Sequence, residues 1–455
     1  MMEIAWKRST RLYILIFLAF MLMISGCGNG SNENNSAADV GTDDAGFASE
    51  GTASSDSAGD APVSDSSDST GDMASEEPSP STGESESPSD SDSPSKEDRP
   101  AEDDFTGERP NPTPQAGQLT AGEWSDLEHW DWWRRLMNHR EWSSYRDHWG
   151  FYPDRKITVK VTSQGEPVVD AIVTLREKKQ DIWEARTGVD GEAHLFDGLF
   201  TEERAGSLDL LVETPNGSKA FQLGKPNASE TVHIDWNNSE QTPDTLDLMF
   251  VVDTTGSMGD ELSYLQSEIK SVINRVSKAN NDELSIRFSN IFYRDKEDEY
   301  EVLPFRFTTN IDKAVKQLSE QSADGGGDYE EAVEAALEEA IEEQNWSDEA
   351  RARLLFLVLD APPHHTKKNI ERIQELTAQA AEAGIRIIPI ASSGVDKDTE
   401  FLLRFLSVST GGTYVFLTDD SGIGNSHIEP TIGQYEVEQL NNLLVQIINS
   451  YTEVQ

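Results

Sequence analysis

The stretch Leu246-Asp-Leu-Met-Phe-Val-Val-Asp253-Thr-Thr-Gly-Ser-Met258 decides how the carboxy-terminal half folds. Its first seven residues are nearly all apolar, the pattern of a strand buried on both faces of a parallel sheet. Asp253, Thr255 and Ser257 then set one acid and two hydroxyls at alternate positions of a tight turn. That spacing can aim all three oxygens at one point, and a hard divalent cation prefers oxygen ligands. Downstream, Leu262, Leu265, Ile269, Val272, Ile273 and Val276 share one face of a helix. Further strands read at Leu284–Phe292, Leu354–Leu359, Ile385–Ala391 and Thr413–Leu417, with helices at about 329–344, 367–383, 397–408 and 434–450. Alternating β and α elements across 244–455 predict an α/β doubly wound, Rossmann-like sheet with ligands at the carboxyl ends of its strands.

Two more segments bring acids to that end. Gly325-Gly-Gly-Asp328 is expected to open a helix, its glycines permitting close backbone approach. Leu357-Val-Leu-Asp360 ends a buried strand. The constellation resembles the von Willebrand factor type A domain, whose metal-ion-dependent adhesion site carries a D-x-[ST]-x-S loop. The runs Tyr293-Arg-Asp295, Gly325-Gly-Gly-Asp328 and Leu359-Asp-Ala-Pro-Pro-His364 look like bacterial relatives of that family. The resemblance implies Asp253, Thr255 and Ser257 as first-loop metal ligands, and Asp360 as the last-loop aspartate, often water-bridged. Asp328 would take the second-loop position, where adhesion domains usually carry Thr. Three carboxylates around Mg²⁺ leave a formal charge of about −1, which raises metal affinity and lowers the appetite for an acidic partner ligand. Mg²⁺ or Mn²⁺ suits the compact oxygen set better than Ca²⁺. The competing reading makes these residues solvated turns that cap helices. His364 and His365 follow Asp360 as candidate ligand contacts or as residues that orient the loop. The Glu-rich helix Glu330–Glu343 is most simply a solvated face.

Residues 155–238 carry a different pattern. Short strands read at Ile157–Val161, Val169–Leu175, Ile182–Thr187, Glu192–Phe196, Leu208–Glu213, Lys219–Leu223 and Glu230–Ile234, with Asp190-Gly191 as a hairpin turn. Such spacing predicts a small all-β sandwich. The run from Gly165 to Leu175, followed by Thr187-Gly-Val-Asp-Gly191, resembles carboxypeptidase regulatory-like, transthyretin-type modules, which are usually non-catalytic. Before it, the connector 116–154 holds six of the ten tryptophans. Ser125 and Glu128 form a capping-box pattern, followed by Leu127, Trp130, Trp133 and Met137 at helical spacing. These rings either pack on the neighbouring domain or form an exposed patch for sugar or a membrane interface.

The amino-terminal segment gives an address. Lys7, Arg8 and Arg11 precede thirteen apolar residues, Leu12–Ile24, too few to span a ~30 Å hydrocarbon core as a helix. Ile24-Ser-Gly-Cys27 resembles the lipobox of bacterial lipoproteins, which implies a signal peptide over 1–26 and lipid on Cys27. Cys27 is the single cysteine of the 455 residues, so a disulfide framework and a thiolate metal cluster are excluded. The protein is therefore expected to be lipid-anchored on the extracytoplasmic face of a bacterial cell membrane. Residues 27–115 form a Ser/Asp/Glu/Pro-rich spacer; 28–115 hold 22 acidic and 3 basic side chains and are expected to be disordered. Removing that spacer's −19 still leaves about −30 of the total −47 on 116–455, which argues against nucleic acid as a partner.

Gly-x-Ser-x-Gly, phosphate-loop and His-Glu-x-x-His patterns are absent from the sequence. The expectation is a multidomain, non-enzymatic cell-surface binding or adhesion-type protein with a metal-dependent site for a protein or envelope partner. The alternatives are a scaffold in an envelope assembly with a stabilising metal, and a metal-assisted hydrolase with His364 as its base. The anchoring expectation has a direct check: Cys27→Ser should abolish acyl labelling and leave the protein released or held by an unprocessed signal. Acyl label retained in the variant contradicts it.

Overall fold

Residues Leu246–Val252 are each at most 1% exposed, as a strand covered on both faces must be. They belong to an eight-stranded sheet built from β1 (Thr120–Trp124), β2 (Thr245–Asp253), β3 (Ser285–Tyr293), β4 (Val302–Pro304), β5 (Ala352–Leu359), β6 (Ile385–Ala391), β7 (Tyr414–Leu417) and β8 (Glu438–Gln439). The order across it is β4-β3-β2-β5-β6-β7-β1-β8. The five strands from β3 to β7 run parallel, while β4, β1 and β8 join antiparallel. The computed structural model describes residues 115, 117–238, 240–280 and 283–454, all within one unit spanning 104–455. The signal segment, Cys27 and nearly all of the spacer lie outside the described residues.

Side chains alternate along β2 between two cores. Leu248, Phe250 and Val252 meet α1 (Gly259–Ala279) and α4 (Leu440–Ser450), while Met249 and Val251 join the cluster beneath α2 (Lys367–Ala383) and α3 (Lys397–Thr410). This is the doubly wound arrangement expected for the carboxy-terminal half. Some bounds differ. The segment after Gly325-Gly-Gly-Asp328 stays irregular to Ala332, and the helix starts only at Val333. The Glu331 N–H goes to the Pro362 carbonyl at 2.9 Å, so that backbone is held against a neighbouring loop instead of entering a helical ladder. The last helix begins at Leu440 because Glu438–Gln439 pairs with β1.

β1 comes from the tryptophan-rich segment and fills the place beside β7, with Gly122 opposite Phe416. A Cβ on Gly122 would collide with the Phe416 ring, so only glycine fits there. Ser125 accepts the Glu128 N–H at 3.3 Å as a cap should, yet the helix itself runs Trp130–Met137 after one more turn. Trp130, Trp133, Trp142 and Trp149 are buried, and Trp133 lies on Phe401 of α3 at 6.3 Å while Trp130 meets Phe196 at 6.1 Å. The rings therefore pack inward on two neighbours.

Residues 156–235 carry two four-stranded sheets. Ile157, Val159 and Val161 of one sheet and Val173, Leu175, Leu210 and Val212 of the other share a core that continues into α2 and α3. Asp170, at φ 63°, turns its carboxylate to Arg353 of β5 at 2.8 and 3.0 Å and receives the Ala350 N–H at 3.0 Å.

A fully buried ion cluster locks the tryptophan segment to α3. Arg404 donates to both Asp126 oxygens at 2.8 and 2.6 Å and to Glu400 at 3.1 Å, with its guanidinium 5.3 Å from Trp133 and 4.9 Å from Trp142. Removing one partner strands a buried charge. Asp126→Ala should therefore cost about 3–5 kcal/mol of stability, read from the denaturant midpoint. A loss below about 1 kcal/mol would show that this cluster does not hold the segment in place.

Candidate metal centre

β2 ends on Asp253, which is fully buried and paired in register with Tyr293 of β3. Asp253 Oδ1 accepts the Thr255 N–H at 2.8 Å and the Thr255 hydroxyl at 2.7 Å, an Asx turn that holds the first loop. Thr255 Oγ1 stands 3.3 Å from Ser257 Oγ, so the acid and both hydroxyls gather as their spacing predicts. Gly256 N–H donates to the Gly325 carbonyl at 3.2 Å, and Asp324 N–H to the Thr254 carbonyl at 3.1 Å. Those bonds lace the glycine loop to the first loop. Gly325 and Gly326 take φ of 80° and 75°, and a Cβ on Gly325 would strike the Asp298 carboxylate.

Asp360 follows the neighbouring strand β5 and is 4% exposed. Burial raises it above the ordinary carboxylate range; a Ser257 hydrogen bond opposes that and the nearby Glu261 adds to it. Asp253 is pushed up to about 7, first by burial and then by Asp360, against the hydrogen bonds from Thr255. Asp253 Oδ2 and Asp360 Oδ1 are buried without hydrogen-bond partners. Glu261 Oε2 and Glu331 Oε2 share that condition, and both residues are at most 3% exposed. Buried carboxylate oxygens are costly unless paired or metal-bound. A hard cation fits this donor set.

Asp328 is exposed. Ligand atoms of Asp328, Asp295 and His364 lie within 4.8 Å of one another, with His364 Nε2 2.7 Å from Asp295 Oδ1. Burial pulls His364 down, but the Asp295 hydrogen bond and charge leave it raised overall. His365 points to the tryptophan-rich segment, its ring 3.5 Å from that of His148 and its Nε2 3.1 Å from the His148 carbonyl. The residues that sequence reasoning missed are Glu331 and Glu261. Glu331 is pushed up to about 9 by burial, then by Asp253, Asp295, Asp360 and Asp298. Both sit in acid-rich stretches, Gly259-Asp-Glu-Leu262 and Asp328-Tyr-Glu-Glu331, where nothing in the pattern marks one acid as buried. A cavity of about 960 Å³ lies among Trp124, His129, Tyr435 and Ser450 and includes none of these acids.

Comparison with known proteins agrees with the geometry of this pole. Residues 247–427 match the family model of the von Willebrand factor type A domain, and that segment is a domain of this type. Such domains generally serve protein interaction or adhesion. An ariadne-like RING finger protein of Acanthamoeba polyphaga mimivirus is 31% identical over 121 residues, covering 26% of this chain and 11% of that protein. The alpha-protein kinase vwkA of Dictyostelium discoideum is 30% identical over 123 residues, covering 27% of this chain and 19% of that protein. The chain thus spans less than a fifth of the length of either relative. Among solved structures, a pilus adhesin of Lactobacillus rhamnosus GG, SpaC, aligns with 11% identity and a TM-score of 0.32, covering 54% of this chain and 33% of its own. That likeness is too slight to carry an argument.

The raised acids fix the sign of a pH effect. A carboxyl with a raised folded-state pKa favours folding while protonated, and that stability is lost as pH climbs through its folded value. Metal-free protein should therefore lose stability as pH climbs from the ordinary carboxylate range to about 7 through Asp253, and on to about 9 through Glu331. Mg²⁺ competes with those protons, so its stabilising effect should grow over the same window. Melting curves with Mg²⁺ and with chelator, taken across that range, check this. An Mg²⁺ effect independent of pH contradicts it.

Proposed function

We propose that this chain is a lipid-anchored cell-surface binding protein that engages a protein or envelope partner through a divalent cation at the carboxyl ends of its sheet. The observation that carries the reading is the pair of partnerless buried oxygens on Asp253 and Asp360, beside the Thr255 and Ser257 hydroxyls. These four residues would hold Mg²⁺ or Mn²⁺, and the ion would supply an open coordination position for an oxygen of the partner. Cys27 supports attachment to the outer face of a bacterial membrane through lipid. No helix among the described residues is long and apolar enough to cross a membrane. Hydrolysis is the less favoured alternative, since domains of the type that residues 247–427 match generally serve interaction or adhesion.

The binding reading and the scaffold reading part over the hydroxyls. Thr255→Ala with Ser257→Ala should abolish chelator-sensitive capture of envelope components while the melting transition moves little. Capture that survives both the double substitution and a chelator places the binding face elsewhere. Loss of capture together with collapse of the melting transition favours a metal that only stabilises a scaffold.

A further inference from the structure

We propose that Glu331, and not Asp328, supplies the third carboxylate of the cation site; this rests on the metal reading above. Glu331 stands where the irregular stretch after the glycine loop touches the loop leaving β5. Its N–H donates to the Pro362 carbonyl at 2.9 Å, and it forms an isolated parallel bridge with Pro363, three residues beyond Asp360. On the other side its carboxylate reaches across Gly326. Glu331 Oε1 lies 3.0 Å, and Thr255 Cβ 3.3 Å, from the position a Cβ on Gly326 would take. The Glu331 carboxylate is thus placed between the metal-ligand loop at Thr255 and the loop that carries Asp360.

Exposure separates the two acids. Glu331 is 3% exposed, and its Oε2 has no hydrogen-bond partner. An unpaired buried carboxylate is expensive, and a cation removes the expense. Asp328 is exposed, so its carboxylate is open to solvent, and its ligand atom lies within 4.8 Å of those of Asp295 and His364. Glycine at 326 is also what leaves the Glu331 carboxylate room, because a Cβ there would press on it.

The experiment is calorimetric titration of Mg²⁺ into the full chain, comparing wild type with Glu331→Gln and Asp328→Asn. Metal-free melting curves establish that each variant folds, and Asp328→Asn keeps the comparison open should Glu331→Gln fold poorly. The expected result is wild-type binding, at least a ~10-fold loss of affinity in Glu331→Gln, and a change within ~2-fold in Asp328→Asn. Wild-type affinity in a folded Glu331→Gln overturns the assignment while leaving the cation site in place. A ~10-fold loss in Asp328→Asn also overturns it, whichever way Glu331→Gln behaves. No heat from wild type overturns the metal reading itself, and the assignment falls with it.

Discussion

Two acids at the ends of adjacent parallel strands impose the constraint that organises this protein. β2 and β5 run side by side with Val252 opposite Val358, so Asp253 and Asp360 leave the sheet next to each other. Neighbouring strands are ~4.8 Å apart, which holds two carboxylates close in a poorly hydrated place. Each then needs a proton or a cation, and both are raised above the usual carboxylate range. The surrounding backbone serves this arrangement. The Asx turn fixes the hydroxyls, and two glycines at positive φ let the neighbouring loop approach. Burying acids without counter-charge costs stability, and a bound ion returns it by mass action.

The remainder of the described chain holds the sheet that carries those strand ends. β1 closes over β7, and Arg404 ties the following turn to α3 through Asp126. Arg353 of β5 reaches Asp170 in the neighbouring β-sheet module. A fragment starting near residue 240 would therefore lack one strand of its own sheet and Asp126, one of the two acids paired with Arg404. The tryptophans read as ambiguous in sequence because apolar rings at helical spacing serve an interior or an exposed patch equally well. Trp133 and Trp142, both packed against the buried Arg404, settle that in favour of the interior.

Periodicity made the parallel core legible. The unbroken apolar run before Asp253 and the helical face from Leu262 to Val276 leave few alternatives, and the D-x-T-x-S turn announces oxygen ligands. β1 was not legible, because Thr120-Ala-Gly-Glu-Trp124 has a glycine in its middle and no alternation. Its pairing partners lie almost 300 residues away, which no local pattern reveals. Glu331 was hidden for a related reason. An acid inside a Glu-rich stretch looks solvated until a distant loop, here Pro362–Pro363, buries it. Asp328 beside its glycines drew attention by position, while the structure turns it toward Asp295 and His364.

The central claim is that the buried acids at the strand ends exist to hold a divalent cation. Crystals grown with Mn²⁺ and measured at an anomalous wavelength test it most directly. The account predicts a strong anomalous peak in contact with the Asp253 carboxylate, within reach of Ser257 and on the side of Asp360. A map with ordered carboxylates and only water between Asp253 and Asp360, at saturating Mn²⁺ and alkaline pH, would contradict it.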